Sequence, residues 1–247
     1  MAQRREALFR AGVLGGLGLF LYSKISNGTL FFYIHYRFVW LTLLAALLFL
    51  VLAAATMSDA TERTATGEGE SCRHAGHTHG VSRAALILLA LPIALGLAVP
   101  ARPLGAEAVS QRQANVAAVA PAQLGGRIQR VEEDHSILGW LRRFSQTADP
   151  AAFSGQEADL LGFVFRDERF APEQFMVARF AIYCCVADAV PVGIVVHWPE
   201  AASLNADTWV RVQGRFEVGE FDGEAIPILA AETVTPTQPP NQPYVYP

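Results

Sequence analysis

The chain has few charged residues and few cysteines for its length of 247 residues: Asp, Glu, Lys and Arg together make up 17%, and there are three cysteines. The motifs G-x-S-x-G, the Walker phosphate loop, H-E-x-x-H and C-x-x-C do not occur. In that order, these motifs would mark a catalytic serine nucleophile, a nucleotide site, a zinc hydrolase and a dithiol redox centre. The sequence therefore contains no catalytic motif and predicts a protein that is not an enzyme.

Basic residues are scarce in the carboxy-terminal part of the chain. Residues 151–247 contain five arginines and no lysine, against thirteen Asp and Glu, a balance of −8. A groove that follows nucleic-acid phosphates needs clustered Lys and Arg together with aromatic side chains on which bases stack. The acidic balance therefore excludes nucleic acid as an expected partner.

Hydrophobic residues reach 52% of the composition, and the long apolar runs lie in the first hundred residues. The second run is 19 residues without a charge, the length of a transmembrane helix. The third run contains Pro92, which a helix in lipid tolerates when neighbouring groups satisfy the freed carbonyl. We predict a membrane domain over residues 1–101 in the lipid bilayer, with three helices at about 8–25, 38–56 and 84–101.

Arginine placement predicts how these helices are oriented. The amino-terminal tail and the loop over residues 57–83 hold three arginines each, whereas the connection between the first two helices holds only Lys24 and Arg37. Because Lys and Arg concentrate on the cytoplasmic side, the amino terminus and the loop 57–83 are expected inside. Three spans then place the carboxy-terminal domain outside the cytoplasm. The predicted location is the cell (inner) membrane, multi-pass.

The second half of the chain changes to a β-rich pattern. After a linker over 102–134, SILGWLRRFSQ predicts a short amphipathic helix that packs on the following domain, with Asp134 or Ser136 as its cap. Gly214 is placed for a strongly bent strand. The fold class predicted is α+β: transmembrane helices followed by an OB-like small barrel over residues 135–247. Its five strands are expected in LLGFVFR, QFMVARFAIYCC, PVGIVVHW, TWVRVQGRFEV and IPILAAETVTP.

A family resemblance lies in SILGWLRRF, in GFVFRDERFAPEQFMVARFAIYCCVADAVPVGIVVHWP and in the closing PPNQPYVYP. With these segments the chain resembles a family of bacterial envelope proteins described as permease subunits, over nearly its whole length. The resemblance implies a non-enzymatic accessory subunit of a two-component membrane permease, whose partner is a larger polytopic permease. It implies no mechanism, and the loop SCRHAGHTHG departs from the family pattern.

Cys184 and Cys185 are adjacent at the end of the second predicted strand. Successive strand side chains point to opposite faces, so both cannot face the core within regular strand. Three interpretations stay open: apolar packing, a vicinal disulfide or redox pair on an oxidising exterior, and metal ligation with Asp188 or His197 as the nearest partners. The alternative function is accordingly a membrane-tethered metal-binding or thiol-redox envelope protein that uses this pair.

A second set of metal-ligand residues lies in the loop 57–83. One thiolate and three imidazoles form a set that suits Zn²⁺. The competing interpretation is a flexible His-rich loop that binds metal only weakly. Zinc is the cofactor that either cysteine cluster would favour. The residues of this second cluster are Cys72, His74, His77 and His79.

Overall fold

The computed structural model describes residues 2–65, 83–112, 136–147 and 149–246. The chain divides into two compact units. The helical unit comprises Met1–Leu30 and Tyr36–Arg102, and the sheet unit comprises Phe31–His35 and Pro103–Pro247. The α+β class is confirmed, because apolar helices come first and a five-stranded sheet follows.

The helical unit contains α1 (Ala2–Ser26), α2 (Val39–Ala65) and α3 (Arg83–Ala98). Within the described residues, two segments are long and apolar enough to cross a membrane, Ala7–Ser26 and Tyr36–Ser58. Only 17% and 11% of these segments are buried, so their apolar side chains face outward rather than into a protein core.

The third predicted span is shorter in the structure than in the sequence interpretation. Helix α3 has 16 residues, of which Ile87–Ala98 is the apolar part. It ends at Ala98 rather than at Ala101 because Pro100 disfavours helical backbone at Val99, the residue before it. A helix of about 20 residues is the usual length for crossing a bilayer. The third span therefore stays a prediction.

Small residues let the helices of this unit approach closely. A Cβ added to Gly18 would lie 2.9 Å from the carbonyl oxygen of Ala46, so α1 and α2 are nearly in backbone contact there. Between α1 and α3, the ring of Phe20 fills the space above Gly96. Lys24 donates a hydrogen bond to the Gly96 carbonyl at 3.1 Å, which gives its ammonium a partner at the end of α1.

Among its described residues, the sheet unit contains two α-helices, α4 (Ala106–Gln111) and α5 (Ile137–Gln146), and five strands. All five predicted strands are confirmed, although their ends differ by a few residues. Their bounds are β1 Glu157–Phe165, β2 Gln174–Ala181, β3 Val190–His197, β4 Trp209–Phe221 and β5 Glu224–Pro236.

The five strands follow the order β1-β2-β3-β5-β4, and β4 also pairs with β1, so the sheet closes on itself. Every pairing is antiparallel except that of β3 with β5. That parallel pairing joins only Val196 to Leu229 and His197 to Ala230. The closure is therefore weakest between β3 and β5.

The core of the sheet unit follows from alternation along its strands. On β4, Val210, Val212 and Phe216 are buried, and the arginines between them face solvent. Helix α5 covers this core with Trp140 and its apolar neighbours, as the amphipathic pattern predicts. Ser136 caps the helix by accepting a hydrogen bond from the Gly139 amide at 3.1 Å, which confirms one of the two predicted caps.

The predicted linker over 102–134 begins with ordered structure. Helix α4 lies inside it, and Val109 is fully buried against the sheet unit. The carboxylate of Asp207 accepts a hydrogen bond from the Ala106 amide at the start of this helix. The sequence pattern gave no sign of this helix because only two of its residues, Ala106 and Val109, are buried. Residues 113–135, with Asp134, lie outside the described residues.

Gly214 lies at the bulge where the register between β4 and β5 shifts. This position agrees with the prediction that Gly214 lies in a bent strand. A Cβ at this position would collide with the carbonyl oxygen of Ala230 on β5. The backbone of a paired strand has little room to move away. The approach of β4 to β5 at this bulge therefore depends on glycine.

We expect Gly214→Val to destabilise the sheet unit by about 1–3 kcal/mol, the usual cost of forcing extra atoms into a packed site. Glu217→Val is the matched control, because it places the same side chain at an exposed position of the same strand. Thermal unfolding of both variants in detergent, followed by circular dichroism, measures the difference. Equal midpoints for the two variants would contradict the close approach at Gly214.

Candidate functional site

The candidate site lies in the connection between β2 and β3, at Cys184, Cys185 and Asp188, here called the Cys–Cys–Asp group. Strand β2 ends at Ala181, four residues before the end of the run that predicted it. A short 3-10 turn, Val186–Asp188, leads into β3. Both cysteines therefore lie beyond the regular strand, where the alternation that separates adjacent side chains no longer applies.

The carboxylate of Asp188 holds this connection together. Its Oδ1 accepts a hydrogen bond from the Tyr183 amide at 3.0 Å, and its Oδ2 accepts from the amides of Cys184 at 2.8 Å and Cys185 at 3.3 Å. Three consecutive N–H groups that leave the strand ladder thus find one charged acceptor. This interaction explains why the strand ends before the cysteines.

The Cys–Cys–Asp group converges in space. The two sulfur atoms and a carboxylate oxygen all lie within 4.8 Å of one another. Cys184 is exposed, Cys185 and Asp188 are half-buried, and both cysteines are free thiols. The interpretation of Cys184 as an apolar core residue is therefore wrong, because its side chain is exposed. Two sulfur ligands and one oxygen ligand suit a borderline or soft divalent cation.

His197, the other predicted neighbour, does not join the group. It ends β3, and its Nε2 lies 3.1 Å from Oε2 of Glu173 in an exposed pair. The second predicted cluster, Cys72, His74, His77 and His79, lies outside the described residues. Helix α2 continues to Ala65, so the first residues of the predicted loop 57–83 are helical.

The surroundings of the Cys184 thiol do not favour its thiolate form. Its pKa is raised above the ordinary value, first by desolvation of the sulfur and then by the neighbouring Cys185 thiol and the Asp188 carboxylate. Reactive cysteines of thiol oxidoreductases have a lowered pKa, produced by nearby positive charge or a helix amino terminus. The negative surroundings of Cys184 resemble a cation site more than a redox centre.

The backbone of the site pairs with a second segment of the sheet unit, Phe31–His35, here called the connecting segment because it lies between α1 and α2. Ile34 forms an antiparallel bridge with Cys185. The His35 amide donates to the Cys184 carbonyl at 2.9 Å, and the Val186 amide donates to the Tyr33 carbonyl at 2.9 Å. The Cys–Cys–Asp group thus lies where the connecting segment pairs with the connection between β2 and β3.

Residues 242–245, near the carboxy terminus, pack against the end of β2 and against the connecting segment, and they are here called the strap. Val245 bridges to Ala181, and the guanidinium of Arg179 donates to the carbonyls of Gln242, Pro243 and Tyr244. The Tyr244 hydroxyl donates to the Phe32 carbonyl at 3.1 Å and accepts from the Leu104 amide at 3.0 Å. Burial raises the pKa of this hydroxyl.

The pairing of the connecting segment was missed by sequence reasoning. The aromatic residues of this segment suggest an interfacial belt ahead of α2, and His35 suggests an interfacial or capping residue. In the structure His35 is 4% exposed, with its ring 4.4 Å from the ring of Tyr246. A bridge between residues 34 and 185 leaves no local signal in the sequence.

We expect Asp188→Ala to destabilise the sheet unit by about 1.5–3 kcal/mol, the usual contribution of a hydrogen bond to a charged group. Asp188→Asn keeps one acceptor oxygen and should lose less. Chemical denaturation of both variants, with amide exchange at Tyr183, Cys184 and Cys185 as the local probe, compares them. If the alanine variant matches the native chain in both measurements, the carboxylate does not hold this turn.

Comparison with known proteins places both units in one family. Residues 9–115 match the DUF1980 N-terminal domain, and residues 111–247 match the DUF1980 C-terminal domain. No solved structure matches the chain.

Two curated relatives show a more distant similarity. A Streptococcus mutans protein with the provisional name "two-component membrane permease complex subunit" is 25% identical over 211 residues, which cover 69% of this chain and 77% of that protein. The Bacillus subtilis UPF0703 protein YcgQ is 25% identical over 99 residues, 39% of this chain and 35% of that protein. Since the two domain matches together run from residue 9 to residue 247, the chain belongs to the DUF1980 family.

Proposed function

We propose that the protein is a non-enzymatic accessory subunit of a two-component membrane permease complex in the inner membrane. The observation that carries this proposal is the similarity to the Streptococcus mutans protein, whose name describes such a subunit and whose alignment covers 69% of this chain. The exposed apolar surfaces of α1 and α2 support a bilayer location and offer faces for a polytopic partner.

We propose that the sheet unit lies outside the cytoplasm. The connecting segment emerges from the membrane between α1 and α2, and it pairs with Cys184–Val186 inside the sheet unit. This pairing supports placing the sheet on the side where the connection emerges, which the arginine distribution predicts to be outside. In this arrangement α3 crosses as a third span despite its 16 residues.

The proposed role of the sheet unit in the complex is to handle a metal ion or another substrate. The Cys–Cys–Asp group supports a cation, since two sulfurs and an oxygen converge in acidic surroundings. We also propose that the closed sheet is OB-like: five strands, a bulge at Gly214 and a weak closure between β3 and β5 are features of such partly open barrels. The fold analogy carries no function.

A tagged full-length chain, extracted from its native membrane in mild detergent, is expected to recover a polytopic permease. A tagged two-span membrane protein of unrelated sequence, expressed at the same level, controls for non-specific apolar association. Mass spectrometry of both eluates identifies what is enriched. Repeated recovery of the chain alone, with its fold verified by circular dichroism, would argue against the proposed complex.

The proposed orientation predicts the activity of alkaline phosphatase fusions, since this enzyme is active only where its disulfides form. A fusion after Tyr246 should be active, and a fusion after Ala65, at the end of α2, should be silent. Immunoblotting verifies that both fusions accumulate. A silent fusion after Tyr246 in a stably accumulating protein would place the sheet unit in the cytoplasm, and silence of both fusions would rule out α3 as a third span.

A further inference from the structure

The Cys–Cys–Asp group and the connecting segment share one short stretch of backbone. The sulfur atoms of Cys184 and Cys185 are ligand atoms of the group. The backbone of the same stretch bonds to the connecting segment: the Cys184 carbonyl accepts from the His35 amide, and the Val186 amide donates to the Tyr33 carbonyl, at 2.9 Å each. These residues are separated by about 150 positions in the chain. The ligand atoms and the anchor of the connecting segment therefore cannot be positioned independently.

The turn that carries both features is held by a small number of bonds. From within, the Asp188 carboxylate accepts the amides of residues 183–185. From outside, the bridge of Ile34 to Cys185 holds the overlapping stretch Cys184–Val186. If the bridge opens, the Cys184 carbonyl and the Val186 amide lose their partners, and the backbone that brings the two sulfurs near Asp188 keeps only the support of the Asp188 carboxylate.

We propose that a thiophilic divalent cation of the zinc class, bound by Cys184, Cys185 and Asp188, locks the connecting segment onto the connection between β2 and β3. This inference rests on the proposed metal handling and adds its regulation: the occupied site fixes the segment that joins α1 to α2. A ligand that binds only the closed form suppresses opening by a factor of 1 + [L]/Kd. Cation binding at the site thereby acts on the segment that joins α1 to α2 in the chain.

The test is amide hydrogen exchange of the full-length chain in detergent, with a phosphine reductant that keeps both thiols free. Zinc at about 100 times its Kd should slow exchange of the His35 amide about 100-fold. Calcium, which prefers oxygen ligands, should leave it unchanged. The His35 amide is decisive because it lies on the connecting segment and not on the turn that holds the ligands.

A Cys184→Ser, Cys185→Ser double variant provides the matched control, since it keeps the size of the side chains and removes the thiolates. It should show the same His35 exchange with and without zinc. The amide of Phe175, which is fully buried in β2, verifies that the sheet unit of this variant is folded. A zinc effect on His35 that persists in the folded double variant would overturn the proposal.

Two further outcomes separate this inference from the proposed function. If calorimetry shows zinc binding that the double variant lacks, but only the amides of residues 183–185 become protected, the lock is wrong and metal handling stands. If calorimetry shows no zinc binding to the reduced native chain, both the lock and metal handling at this group are wrong. The association with a permease is tested separately by co-purification.

Discussion

The hydrogen bonds of the Asp188 carboxylate determine the backbone path of the connection between β2 and β3. Asp188 accepts three consecutive amides, and this interaction ends β2 at Ala181 and turns the chain away from the sheet. Without such an acceptor, the apolar run would favour continuing as strand, and Cys184 and Cys185 would face opposite sides. Two features depend on the Asp188 carboxylate. One is the convergence of the two sulfurs, and the other is the backbone of residues 184–186 that pairs with the connecting segment.

Much of the fold was predictable because its signals are local. The five strands, the two long apolar helices and the Ser136 cap of α5 each follow from composition and spacing within a few residues. The end of β2 was not predictable by the same means, because β-propensity alone continues through Tyr183. Its cause is a side chain three to five residues further on, whose preference for backbone amides overrides the strand pattern.

The candidate site shows the same division between local and distant causes. Cys184, Cys185 and Asp188 are close in sequence, so their grouping was a reasonable hypothesis from the chain alone, and the structure brings their ligand atoms together. His197, 12 residues after Cys185, lies with Glu173 because the β3 strand carries it away from the turn. The partner segment around Ile34 is remote in sequence, and only the closed fold reveals it.

The strap residue Tyr244 also constrains the order in which the protein can assemble. Its hydroxyl joins the Phe32 carbonyl and the Leu104 amide, groups that are 212 and 140 positions earlier in the chain. Synthesis proceeds from the amino terminus, so α1, α2 and α3 all leave the ribosome before this clamp exists. The bonds of the Tyr244 hydroxyl to Phe32 and Leu104 therefore form only after the chain up to residue 244 has been synthesised.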